Sequence, residues 1–165
     1  MKKLCAILLA TLLLPQAALA TSITLPDDKP LASVTIPDSW HSNKFANGIE
    51  GGSADGGIYL ALEVAADEDL DHAVQSAIDI FEKDGIEVDL KSQNKQKVTV
   101  NGMAAYNLSW AGKNTNTGEA IKTDLTILPL DAGHFLIVSN WGTAEAERAN
   151  AAELQTIAKS IKKLN

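Results

Sequence analysis

"AIKTDLTILPLDAGHFLIVSNW", residues 120–141, decides the fold of this chain. Ile121, Thr123, Leu125 and Ile127 alternate with Lys122, Asp124 and Thr126, the period of two of a strand with one buried face. Asp131, Ala132 and Gly133 then turn the chain. "HFLIVSNW", residues 134–141, is apolar almost throughout, which predicts a strand at the centre of a sheet. A connection this short joins antiparallel neighbours, because a parallel crossover needs about a dozen residues or more.

The same pattern extends outward. "QKVTVNGMAAYNLSW", residues 96–110, reads as two strands around Asn101-Gly102, a strong hairpin signal. "KNTNTGE", residues 113–119, is a polar turn tip, and residues 86–90 a short strand. Upstream, "IYLALEV", residues 58–64, sends Ile58, Leu60, Leu62 and Val64 to one face and Tyr59, Ala61 and Glu63 to the other. "LASVTI", residues 31–36, is a short strand stopped by Pro37, and "PDSW" then delivers Trp40. Asn47-Gly48 is a further turn signal, with residues 49–50 extended.

Two helices interrupt the strands. Leu70, Ala73, Val74, Ala77, Ile78 and Phe81 recur as one apolar stripe. Asp67, Glu68, Asp69 and Asp71 crowd the first turn, where the helix dipole favours negative charge, and Gly85 supplies a stop. That acidic run lacks the loop spacing of a calcium site. The second helix carries Leu154, Ile157, Ala158, Ile161 and Leu164, starts with a capping-box pair, Asn150 and Glu153, and loads its end with Lys159, Lys162 and Lys163. The alanine-rich residues 144–149 extend it upstream. The expected architecture is α+β: an α/β/α sandwich with a central antiparallel sheet of about six to eight strands and two main flanking helices.

The first 20 of the 165 residues read as an export signal. Lys2 and Lys3 precede an apolar run over residues 4–14, and Ala18-Leu19-Ala20 gives a cleavage site after Ala20. The run is shorter than the roughly 20 residues a membrane span needs. Residues 21–30 read as a polar lead-in, and residues 31–165 as one domain. The expected location is the periplasm or the secreted fraction, without stable membrane insertion. Net charge is −7, and −9 without the leader, so nucleic acid is a poor partner. The single cysteine, Cys5, lies in the leader, leaving the mature chain without thiol chemistry or disulfides.

"EGGSADGG", residues 50–57, invites a chemical reading and fails each template. No Lys-Ser/Thr follows the glycines, as a P-loop requires, and no helix opens there. The glycine spacing is wrong for a dinucleotide fingerprint. Asp55 stands where a nucleophile elbow centred on Ser53 needs glycine. A calcium loop needs more oxygens than Asp55 alone. The stretch reads as a hairpin turn around Asp55-Gly56, with Asp55 the residue to test on a mobile rim. His41, His72 and His134 have no metal spacing, and no metal or other cofactor is expected. Ser53, His134 and Asp124 form a nominal triad with no elbow or oxyanion hole to support it. Trp40, Trp110 and Trp141 sit at a turn and at two strand ends, where an aromatic ring either caps the core under the helices or meets a ligand or partner. Trp40, His41, Asp55, Trp110 and Trp141 are the candidate contacts, with a cleft expected where Trp40 and His41 approach Trp141.

"VTIPDSW" at residues 34–40, the mid-chain helix, "TDLTILPLDAGHFLIVSNWG" at 123–142 and "IAKSIKKL" at 157–164 together resemble the PsbP-like superfamily, in its exported bacterial DcrB-like branch. The resemblance spans nearly the whole mature chain. It implies an α/β/α sandwich and a role in binding or assembly, as for a photosystem II extrinsic subunit, a Ran-binding import factor and envelope proteins. No cysteine follows the cleavage site, so the resemblance implies a free rather than a lipid-tethered member. The functional expectation is a non-catalytic module acting through contacts with another envelope or secreted protein, in an immunity, inhibitor or envelope-assembly role. The alternative is a small-molecule carrier or minor hydrolase with a cleft between helix and sheet.

Overall fold

The computed structural model describes residues 20–66 and 70–164. The leader up to residue 19 and the acidic residues 67–69 lie outside the described residues. Among the described residues, eleven strands and three α-helices follow in order: β1 (Ala20–Leu25), β2 (Ala32–Pro37), β3 (His41–Phe45), β4 (Gly48–Gly52), β5 (Ile58–Ala66), α1 (Leu70–Lys83), β6 (Ile86–Val88), β7 (Asn94–Val100), β8 (Met103–Asn114), β9 (Ala120–Pro129), β10 (His134–Gly142), α2 (Ala144–Ala149), α3 (Ala151–Ser160) and β11 (Lys162–Lys163).

The main sheet has eight strands in the order β3-β4-β5-β10-β9-β8-β6, with β7 also paired to β8. Every pairing in it is antiparallel. β10 lies between β5 and β9, as its apolar run predicts. Asn101 and Gly102 both take positive φ, 46° and 81°, the geometry of the two-residue turn that joins β7 to β8. Gly56, at φ 70°, makes the expected turn between β4 and β5.

The two faces of this sheet separate by sequence parity. Ala65 of β5, Leu125 of β9, Ile137 of β10 and Trp110 of β8 pack under Ala77, Ile78 and Val74 of α1. Phe81 of α1 is fully buried with Ile86 and Ile121. On the opposite face Leu60, Leu62 and Val64 of β5, with Leu128 and Leu136, meet Ile157 and Ile161 and a second sheet. That second sheet has the order β1-β2-β11. The result is the expected α+β sandwich, with one layer made jointly by a helix pair and a small sheet.

Three expectations need correction. The segment 21–30 is not merely a lead-in, because Thr21–Leu25 pairs along β2 and buries Ile23 and Leu25 in the core. The final helix is two helices broken at Asn150. It ends at Ser160, where Ile161 turns extended and Lys162–Lys163 join β2 instead of loading a last helical turn. The Asn150–Glu153 capping box does not form. Thr143 is the residue that caps α2, accepting from the Ala146 N–H at 3.1 Å. Asn150 and Glu153 are drawn into tertiary contacts instead, with Asp55 and Trp40.

Candidate functional site

One register row crosses six strands: His41, Gly52, Tyr59, Trp141, Thr123 and Trp110. It explains why the expected Trp40–His41–Trp141 cleft is not there. His41 and Trp141 share the row but are three strand spacings apart, about 14 Å at ~4.8 Å each. His41 is exposed on the edge strand β3. Trp141 is half-buried and stacks on Tyr59 with ring centroids 6.1 Å apart. Its indole N–H is buried without a hydrogen-bond partner among the described residues. The Tyr59 hydroxyl donates to Glu50 at 3.0 Å. Burial, and then that bond, raise the phenol's pKa above its ordinary value.

Trp40 and Trp110 are core residues, 2% and 3% exposed. The Trp40 Nε1 donates to Glu153 on α3 at 2.5 Å, which fastens the turn after β2 to the helix. The nominal triad is dispersed: Ser53 is buried beside Asp55, His134 pairs with Asp131 at 2.8 Å, and Asp124 pairs with Lys122. Among the described residues, no group of three or more His, Cys, Asp or Glu gathers in a way that could hold a metal.

Asp55 is a clasp. Its carboxylate accepts from the Ser53 hydroxyl (2.5 Å), the Gly57 N–H (3.0 Å) and the Asn150 amide (3.0 Å). Asn150 also donates to the Ala146 carbonyl at 3.0 Å, so the turn of "EGGSADGG" is tied to the break between α2 and α3. These donors, Ser53 foremost, hold the carboxyl at about 2, against an ordinary value of 3.8. A depressed folded-state pKa stabilises the fold above pH 3.8, and the contribution is lost as pH falls towards 2. Asp55→Ala is therefore expected to lower the melting temperature at pH 7. The gap to the wild type closes between about pH 4 and pH 2, as read by circular dichroism melts.

Trp40 and His41 line a concavity without Trp141, and a separate cleft lies between α2–α3 and the main sheet. It encloses about 270 Å³. Leu154, Ile157 and Ala158 of α3 form one wall; Leu60, Val138 and Val100 form the apolar part of the other. Its polar side comes from the face of β9 opposite α1. Lys122, Asp124 and Thr126 point here, joined by Asn140 of β10, which stands directly across from Asp124, and by Glu147 of α2.

Lys122 Nζ is 2.8 Å from Asp124 Oδ2 and 3.8 Å from Glu147 Oε1. Asp124 is 7% exposed, while half of the lysine side chain reaches solvent. Burial opposes the Lys122 charge, but the bond and charge of Asp124 outweigh it and its pKa rises. The Glu147 pKa also rises, from burial first, despite Lys122. The two shifts favour opposite charge states for the partners of one contact. Distance decides between them: Lys122 spends its charge on Asp124, and Glu147 remains a carboxyl short of positive charge.

Sequence reasoning missed this site. Lys122, Asp124 and Thr126 read as a solvent face, yet β9 has a neighbour on each side and a helix pair above. Three polar residues on one face of an interior strand were the available signal. Asn140 interrupts the apolar run of β10 at the matching position.

No family model and no curated protein matches the sequence. Solved structures do match the fold. The solution structure of cyanobacterial PsbP (CyanoP) from Synechocystis sp. PCC 6803 superposes with a TM-score of 0.57 at 10% identity, covering 89% of this chain and 94% of that one. LpqN from Mycobacterium tuberculosis, described as involved in cell envelope biogenesis, gives 0.50 at 12% over 88% and 92%. The Ran-binding protein Mog1p of Saccharomyces cerevisiae gives 0.51 at 11% over 88% and 96%. The likeness is one of architecture: the chain has a PsbP-like α+β fold.

Proposed function

We propose that this chain is an exported, non-catalytic binding or accessory protein whose ligand seat is the cleft between α2–α3 and the main sheet. The cleft itself carries the reading: apolar walls with a few converging polar groups are the usual make-up of a small-ligand site. The leader-like residues 1–20 and the DcrB-like sequence pattern support a place in the periplasm or among secreted proteins. The envelope role of LpqN and the protein partner of Mog1p are compatible with accessory work on this fold. Among the described residues, no helix is long and apolar enough to cross a membrane.

A protein partner is the second reading. All five residues of the edge strand β3 are exposed, Phe45 among them, and Leu90 is exposed beyond β6 at the other edge. The buried tryptophans are not the anchors of such a contact; Phe45 is. The test of the leading reading is whether the folded chain retains a small molecule that a cleft-filled variant, Ala158→Phe, does not.

A further inference from the structure

The charge pattern of the cleft narrows its ligand, on the reading just given that the cleft is a binding site. Two carboxylates and one ammonium line it. The ammonium is already held by Asp124 at 2.8 Å, with Glu147 at 3.8 Å behind it. An anion drawn to Lys122 would meet two carboxylates around the same nitrogen, and their repulsion would offset the attraction. A cation also meets the Lys122 ammonium, but two carboxylates against one ammonium leave the lining net negative. Glu147 has no closer positive partner among the described residues than the shared Lys122.

Asn140 lies across the ladder from Asp124 and makes no side-chain hydrogen bond to another described residue, so its carbonyl oxygen is free to accept. The molecule's net charge of −7 adds a long-range field of the same sign preference. The apolar wall excludes a bare inorganic ion as the best occupant, because Leu154, Ile157 and Val138 reward hydrocarbon.

We propose that the cleft takes a small amphipathic primary amine. The ammonium sits between Glu147 and the Asp124–Asn140 pair, and the hydrocarbon lies against Leu154, Ile157 and Val138. Glu147, the Asp124 Oδ1 that Lys122 does not hold, and the Asn140 carbonyl offer three acceptors to the three donors of the ammonium.

Hexylamine, 1-hexanol and hexanoate share one chain and differ in charge, so titration calorimetry of the full chain with each, at neutral pH and low salt, is the test. Hexylamine is expected to bind tightest and hexanoate weakest. Glu147→Gln is expected to weaken hexylamine about tenfold and leave hexanol unchanged, since it removes one charge-assisted contact and keeps the shape. Hexanoate binding as well as hexylamine, hexanol matching the amine, or none of the three binding would each overturn the amine assignment. Ala158→Phe separates the two levels. If it abolishes whatever binds, the cleft stands even where the amine assignment falls. If hexylamine binds the variant unchanged, the cleft is not the seat, and both readings fall.

Discussion

Trp40→Ala is expected to cost about 3–5 kcal/mol of unfolding free energy, the range for removing a large aromatic side chain from a core. The indole is 2% exposed among Ile36, Ile49 and residues of both sheets. Its N–H also reaches Glu153 on α3, so the substitution leaves a void and releases the helix that forms one wall of the cleft. Trp40→Phe keeps most of the ring volume and loses only the hydrogen bond, and about 1–2 kcal/mol is expected. Urea denaturation of the two variants separates packing from the bond. Equal losses would mean that the contact with Glu153, not the fill of the core, holds the residue. Where Trp40→Ala remains folded, hexylamine should bind it more weakly than it binds the wild type, because Glu153 adjoins the cleft wall at Leu154.

Phe81→Ala is expected to cost a similar ~3–5 kcal/mol, by a different route. Phe81 is completely buried and joins α1 to Ile86 and Ile121. It lies on the face of the sheet opposite the cleft. The variant should therefore lose stability while its affinity for hexylamine stays within the error of the wild-type value, measured under conditions where both are folded. That dissociation distinguishes a site defined by one face of the sheet from a general dependence on stability. A loss below about 1 kcal/mol would place α1 outside the cooperative core.

The sheet was legible in the sequence because its signals are local. The Asn101-Gly102 turn, the alternation over residues 58–64 and the apolar run at 134–141 each state a strand and its faces without reference to the rest of the chain. β1 and β3 carry no such local signal. Thr21–Leu25 is polar apart from Ile23 and Leu25, and β3 exposes all five side chains on an edge, where burial imposes no pattern. At the end of α3, Lys162 and Lys163 suit a helix terminus by charge, whereas β2 offers them a strand partner that only the tertiary fold reveals.

The site was less legible than the fold. Of the five candidate contacts, Trp40 and Trp110 serve the core, Trp141 stacks within it, His41 is exposed on an edge, and Asp55 clasps a turn. Trp110 lies inside β8 rather than at its end and packs under α1, Trp40 packs with the second sheet and α3, and Trp141, next to last in β10, stacks on Tyr59. The charged stripe of β9 gave the cleft away only once the layer above it was known. "EGGSADGG" contributes indirectly, since Asp55 fixes Asn150 and with it the angle at which α2 presents Glu147.

A small molecule held in the cleft between α2–α3 and the sheet is the function proposed for this chain. Equilibrium dialysis of the wild type and of Ala158→Phe against an envelope extract, followed by mass spectrometry of what each retains, tests it most directly. Circular dichroism first establishes that the variant folds like the wild type. The account predicts at least one small molecule, carrying an amine, held in stoichiometric amount by the wild type and absent from the variant. Equal retention by both, or a stoichiometric protein partner with no small molecule, would contradict it.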